Sequence, residues 1–291
     1  MTTPRDDFVS LPGRGLRLHY RDWGGEGLPL VLLHGLSSSC RIWDWTAPRL
    51  ADRFHVIALD QRSHGLSDQA DDGYGFDDIT ADLAAFIEAL GLERPALAGH
   101  SWGASVALVY ATENPDKVRS VALIDGGIVE LSKYNDWETA EVQMRPPEID
   151  GTPVETFVGF MQRWPNLKEV WSDELRDMVL SNFDLREDGT IARRLTIENH
   201  MKIAHAIYDL RSGDLLQALA CPLLVICCKQ EPRNDAEKAW QGFREDGLAA
   251  VARLVPSARV VVMEDTIHDV PIQRPAELAA HLGEFLAVDS G

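Results

Sequence analysis

Gly99-His100-Ser101-Trp102-Gly103 is the stretch that most restricts how this chain can fold. It follows a short apolar run, Pro95-Ala96-Leu97-Ala98, and precedes a helical pattern from Ala104 to Ala111. A G-x-S-x-G pentapeptide between a strand and a helix describes a turn so tight that only small residues fit at its two glycine positions. The serine is then forced into a strained backbone conformation with its hydroxyl exposed. That geometry makes Ser101 a candidate nucleophile. It also requires a sheet whose strand ends are open to a ligand.

The rest of the chain supplies such a sheet. Short apolar runs at Leu16–Tyr20, Leu28–Leu33, Phe54–Leu59, Pro95–Ala98, Val118–Ile124, Pro222–Ile226 and Arg259–Met263 predict strands. Helical patterns at Trp43–Ala51, Phe76–Leu90, Trp102–Asn114 and Ala276–Leu286 lie between or after them. This alternation predicts an α/β fold with a mostly parallel sheet flanked by helices. From about Ile128 to Leu219 no strand pattern is evident, only amphipathic helical stretches at Val154–Arg163, Ser172–Asn182 and Thr196–Tyr208. That segment holds Trp137, Trp164 and Trp171, and it reads as a helical cap over the strand ends. The expected organisation is therefore a core in two parts, residues 1–127 and 220–291, with a cap at 128–219.

A serine hydroxyl needs a base. Of the nine histidines, His268 is the best placed, because it follows the last predicted strand after a short loop. His34 and His100 lie within tight turns, and His64 follows the third strand. His55, His200, His205 and His281 read as surface or packing residues. The carboxylate that would orient the base has two candidates. Asp125 ends the strand after the elbow helix. Glu231 follows the next strand, beside Gln230, which occupies the slot where the alternative carboxylate would stand. Asp125 needs no shift in register and is preferred. Backbone N–H groups of Leu36 and Trp102 are the expected oxyanion donors.

Composition excludes several classes of partner. A net charge of −18, from 28 basic and 46 acidic residues, disfavours nucleic acid and anionic membrane surfaces. Cys40, Cys221, Cys227 and Cys228 fit no zinc spacing and no disulfide framework, and the last two read as buried packing residues. The polar start, Met1 to Ser10, and the lack of a long apolar run lead to the expectation of a cytoplasmic protein. No metal or organic cofactor is expected, and homodimerisation is left open.

With these residues assembled, the chain resembles the α/β-hydrolase superfamily over nearly its whole length. The carriers are His34-Gly35, the run Asp60-Gln61-Arg62-Ser63-His64-Gly65-Leu66-Ser67, the elbow at Gly99 to Gly103, His268-Asp269-Val270-Pro271, and Gln273-Arg274-Pro275. Ser63 stands where the family's D-x-R-G-x-G-x-S loop has its first glycine, which implies a slightly altered loop. A serine nucleophile points away from the dehalogenase and epoxide-hydrolase branches, which need a carboxylate there. The acid after the Asp125 strand resembles the arrangement in zearalenone-type lactone hydrolases, which carry glutamate. The implied activity is hydrolysis of a small carboxylic ester or lactone by a Ser101–His268–Asp125 triad. Proton-transfer relatives (hydroxynitrile lyases, cofactor-free oxygenases), proline-iminopeptidase-like peptidases and ligand receptors on the same fold are the alternatives.

Overall fold

The computed structural model describes residues 2–288. Its elements, in chain order, are β1 (Arg5–Leu11), β2 (Leu16–Gly24), β3 (Leu28–Leu33), β4 (Phe54–Leu59), α1 (Phe76–Ala89), β5 (Ala96–His100), α2 (Trp102–Glu113) and β6 (Val121–Ile124). They continue with α3 (Trp137–Met144), α4 (Val154–Arg163), α5 (Asp173–Leu180), β7 (Phe183–Leu185), β8 (Ile191–Arg193), α6 (Ile197–Asp209) and α7 (Ser212–Ala218). The chain closes with β9 (Leu223–Lys229), α8 (Asp235–Leu254), β10 (Arg259–Glu264), α9 (Val270–Gln273) and α10 (Pro275–Val288).

Eight strands form one sheet in the order β1-β2-β4-β3-β5-β6-β9-β10. β2 is antiparallel to both β1 and β4, and every other neighbouring pair is parallel. Both faces are packed, and the period of two assigns residues to them. Leu30, Leu32, Ala96, Ala98, Ala122 and Ile124 join one core cluster. Val31, Leu33, Leu97, Val121 and Leu123 join the other. α2 is buried along Trp102 to Ala111, as expected of a helix apolar on all sides.

The structure departs from the expected elements in specific places. The helix predicted over Trp43–Ala51 is two 3-10 turns, Cys40–Trp43 and Ala47–Arg49, with Pro48 at the start of the second. Residues 128–219 contain strands after all, in the antiparallel β7–β8 hairpin. β1, α3, α7 and α8 have no counterpart among the predicted elements. α4 and α5 send Phe157, Val158, Leu175 and Met178 into the core, whereas α7 packs on α2 and α8. Among the described residues no helix is long and apolar enough to cross a membrane.

The loop from Asp60 to Ser67 is closed despite its departure from the family pattern. Ser63 holds a left-handed φ of +61°. Its hydroxyl is 2.7 Å from that of Tyr74 and accepts from Ala70 N–H at 2.9 Å. These bonds offset the strain that a glycine would avoid.

Candidate active site

The elbow forms where β5 ends. Ser101 has φ +55° and ψ −118° and caps the start of α2, and its N–H donates to Ile124 O at 2.9 Å. The tightness of the turn is measurable at Gly99, where a Cβ would lie 2.0 Å from Gly103 O. Gly99→Ala is therefore expected to cost about 3 kcal/mol of stability, the upper end of ordinary overpacking, and to displace Ser101. Thermal melting and kcat of the variant check this.

His268 lies between β10 and α9. Its Nδ1–H donates to Asp125 Oδ2 at 2.7 Å. Asp125 follows β6 with φ +49°, and its side chain is 3% exposed against 52% for His268. The other carboxylate oxygen, Oδ1, accepts from Cys228 N–H at 2.8 Å and from Arg244 of α8. Burial pushes the Asp125 carboxyl up, but the His268 hydrogen bond and charge, Arg244 and the Cys228 N–H together hold it below the usual carboxylate range. Burial opposes protonation of His268, and the bond and charge of Asp125, with the charge of Asp269, outweigh it, so His268 is raised above its ordinary 6.5. Glu231 is exposed, and no contact links it to His268 among the described residues.

His100 connects His268 to the elbow. Its Nε2–H donates to His268 O at 2.8 Å, and the two rings lie 4.7 Å apart. Burial and then the charge of His268 push His100 down to about 4, which keeps it neutral. Ser101 and His268 are thus neighbours through His100, although no hydrogen bond joins the Ser101 hydroxyl to His268 among the described residues. The His268 loop is braced from below. Ile267 N–H donates to Gln273 Oε1 at 2.8 Å, Arg274 to Asp265 O at 3.2 Å, and Thr266 N–H to Lys229 O at 3.0 Å.

The loop carrying Leu36 runs beside Ser101: a Cβ on Gly35 would lie 3.1 Å from Ser101 Cβ. Trp102 is buried and contributes the first N–H of α2, one of the groups a helix leaves unpaired at its start. Two buried imidazoles fix the shape of this wall. His34 Nε2 accepts from Gln61 N–H at 3.1 Å and its Nδ1–H donates to Gly35 O at 2.8 Å. His64 Nε2 accepts from Ser37 N–H at 3.2 Å, and its ring stacks on Trp102 at 5.4 Å. Burial, and then the charge of His34, push His64 down to about 3.

The segment between β6 and β9 docks on the same loop. Ser37 and His200 Nδ1 are 2.8 Å apart, the Ser39 and Ser181 hydroxyls 2.8 Å, and Arg41 donates to Asp177 O at 3.2 Å. His200, expected to be a surface or packing residue, is buried and bonded at both ring nitrogens, with Nε2 3.1 Å from Met144 O. Cys227 and Cys228 are buried in β9, and burial raises both thiols. Among the described residues, a cluster with ligand atoms close enough to hold a cation is His19, Cys40 and Asp60. Asp60 there already accepts from His19 Nδ1, Cys40 N–H and Leu66 N–H, which ties β2 to the loops after β3 and β4.

A family model described as "alpha/beta hydrolase fold" matches residues 29–275. The chain is 42% identical over 250 residues, 84% of its length and 83% of the relative's, to the 2-(acetamidomethylene)succinate hydrolase of Mesorhizobium japonicum. It is 38% identical over 284 residues, 95% of both chains, to the N-formylmaleamate deformylase of Pseudomonas putida. Among solved structures, that of an E-2-(acetamidomethylene)succinate hydrolase superposes with a TM-score of 0.78 at 24% identity, over 98% of this chain and 100% of the other.

Proposed function

The chain belongs to the α/β-hydrolase fold family and is a hydrolase; we propose that it cleaves a carboxylic acyl bond of a small molecule through an acyl-enzyme on Ser101. The observation that carries this reading is the Asp125–His268 hydrogen bond beside a serine in elbow geometry. Because Nδ1 of His268 is committed to Asp125, Nε2 is the nitrogen left to take the Ser101 proton. Ser101 Oγ bonds to the acyl carbon, and the N–H groups of Leu36 and Trp102 stabilise the resulting oxyanion. Collapse of that intermediate expels the alcohol or amine, protonated by His268. Water, deprotonated by His268, then attacks the acyl-serine, releasing the acid and restoring Ser101. Residues 128–219 act as a cap that lines the approach to Ser101.

Two bond types compete within this scheme. The residues alone favour an ester or lactone. The two relatives, a 2-(acetamidomethylene)succinate hydrolase and an N-formylmaleamate deformylase, favour an acylated nitrogen, and that is the second reading. Labelling with a fluorophosphonate probe, followed by mass spectrometry, is expected to modify Ser101. A panel of 4-nitrophenyl esters, lactones and N-acyl compounds then separates the bond types. A probe that leaves Ser101 unmodified while turnover proceeds would remove the acyl-serine.

A further inference from the structure

Ser37 stands where the backbone must be left-handed. Residues 35–38 form a turn closed by Ser38 N–H, which donates to Gly35 O at 3.2 Å. Ser37, the third residue of that turn, has φ +59°. Glycine is favoured at such a position, because a side chain strains the conformation. The sequence has serine there, so other contacts must hold it.

Two contacts do so. From the core, His64 Nε2 accepts from the Ser37 N–H at 3.2 Å. From the inserted segment, His200 of α6 brings its Nδ1 to 2.8 Å from the Ser37 hydroxyl. The Nε2–H of the same ring donates to Met144 O, at the end of α3, at 3.1 Å. Nδ1 is therefore the bare nitrogen, and the Ser37 hydroxyl donates to it. The ring is buried, and burial lowers its pKa, which keeps it neutral.

What the turn holds is the peptide before it. Gly35 C=O and Leu36 N–H belong to one rigid plane and point in opposite directions. Gly35 O accepts from His34 Nδ1–H at 2.8 Å and from Ser38 N–H at 3.2 Å, so the Leu36 N–H is fixed by bonds on the far side of its own peptide. The second of those bonds requires the left-handed φ of Ser37. We infer that His200 is a positioning residue for the oxyanion donor Leu36: acting through Ser37, the inserted segment holds the turn that aims this N–H. The role rests on the acyl-serine reading, in which an oxyanion forms beside Leu36. The segment has other ties to the same loop, Ser181 to Ser39 and Asp177 O to Arg41. They lie outside the turn and remain when His200 is changed.

The test is a mutant cycle read by hydrolysis of 4-nitrophenyl acetate and by inhibition with trifluoroacetone. Ser101 Oγ bonds to the ketone carbon of that inhibitor, its proton passes to His268, and the adduct keeps an oxyanion with no group to expel. Ser37→Ala and His200→Ala should each lower kcat about tenfold, the scale of one hydrogen bond. Each should weaken trifluoroacetone by a similar factor and leave KM within about twofold, the pattern of an interaction made in the transition state. The double variant should lose no more than either single one, since both remove the same bond. Ser37→Gly takes a left-handed φ without strain. It should therefore lose less than Ser37→Ala, and it should restore part of the rate to His200→Ala. A packing role for His200 gives no such rescue. Melting temperatures identify a variant that fails to fold, and if His200→Ala is one, the comparison of Ser37→Ala with Ser37→Gly decides. Wild-type kcat in folded Ser37→Ala, losses that add in the double variant, or a glycine no better than alanine overturns the role of His200 while Ser101 still reacts with the fluorophosphonate probe. A Ser101 that escapes the probe removes the acyl-serine and this role together.

Discussion

Ser101→Ala is expected to lower kcat by at least about 10⁴-fold, because loss of the nucleophile removes the acyl-enzyme route and leaves only the contribution of oxyanion donors and binding. Thermal stability should be nearly unchanged. The substitution keeps the Cβ at the same left-handed φ of +55°, and the N–H bond from residue 101 to Ile124 O does not involve the side chain. Steady-state hydrolysis of 4-nitrophenyl acetate and the melting temperature of the same preparation give both numbers. A folded variant that retains its rate would mean that the chemistry runs without Ser101. His268 would then be acting directly on water or on a substrate proton.

The elbow was legible in the sequence because its constraint is local. Gly99, Ser101 and Gly103 must satisfy one turn, and the flanking apolar runs reveal the strand and the helix. His268 was legible because a residue shortly after the last strand returns to the strand ends. The carboxylate that bonds His268 was harder to read, since two neighbouring parallel strands, β6 and β9, end on the same side, and Asp125 and Glu231 follow one each. Only the three-dimensional register separates them. β9 runs on to Lys229, beyond the predicted end at Ile226, while Asp125 N–H donates to Ile226 O at 2.7 Å, and this leaves Asp125 facing His268. Arg244 escaped notice because α8 buries little, with only Gly247 and Val251 inside, so no apolar stripe marks the helix. The β7–β8 hairpin escaped for a related reason: three-residue strands with only Ile191 buried leave no alternating pattern. Periodicity reveals residues that pack, and it is silent about residues such as Arg194 and Arg244 that meet charge.

Asp125→Asn is expected to reduce kcat by about 10³- to 10⁴-fold while leaving the fold intact, since asparagine keeps the shape but favours the wrong imidazole tautomer. The pH dependence gives the same substitution a second signature. In the proposed mechanism His268 acts as a base only when neutral, so kcat/KM is expected to fall as pH drops through its pKa. That pKa is raised above 6.5 in the wild type, and the hydrogen bond and charge of Asp125 are the largest raising causes. Neutralising Asp125 removes both, so the acidic limb of the variant should move to lower pH even as its maximum rate collapses. A general loss of structure would lower the rate without that displacement. Glu231→Gln, at an exposed residue with no contact to His268, should change neither the rate nor the limb. The opposite pattern, a small loss in Asp125→Asn and a large one with a shifted limb in Glu231→Gln, would transfer the role to Glu231. It would require residues 229–234 to fold over His268 before the substrate reacts.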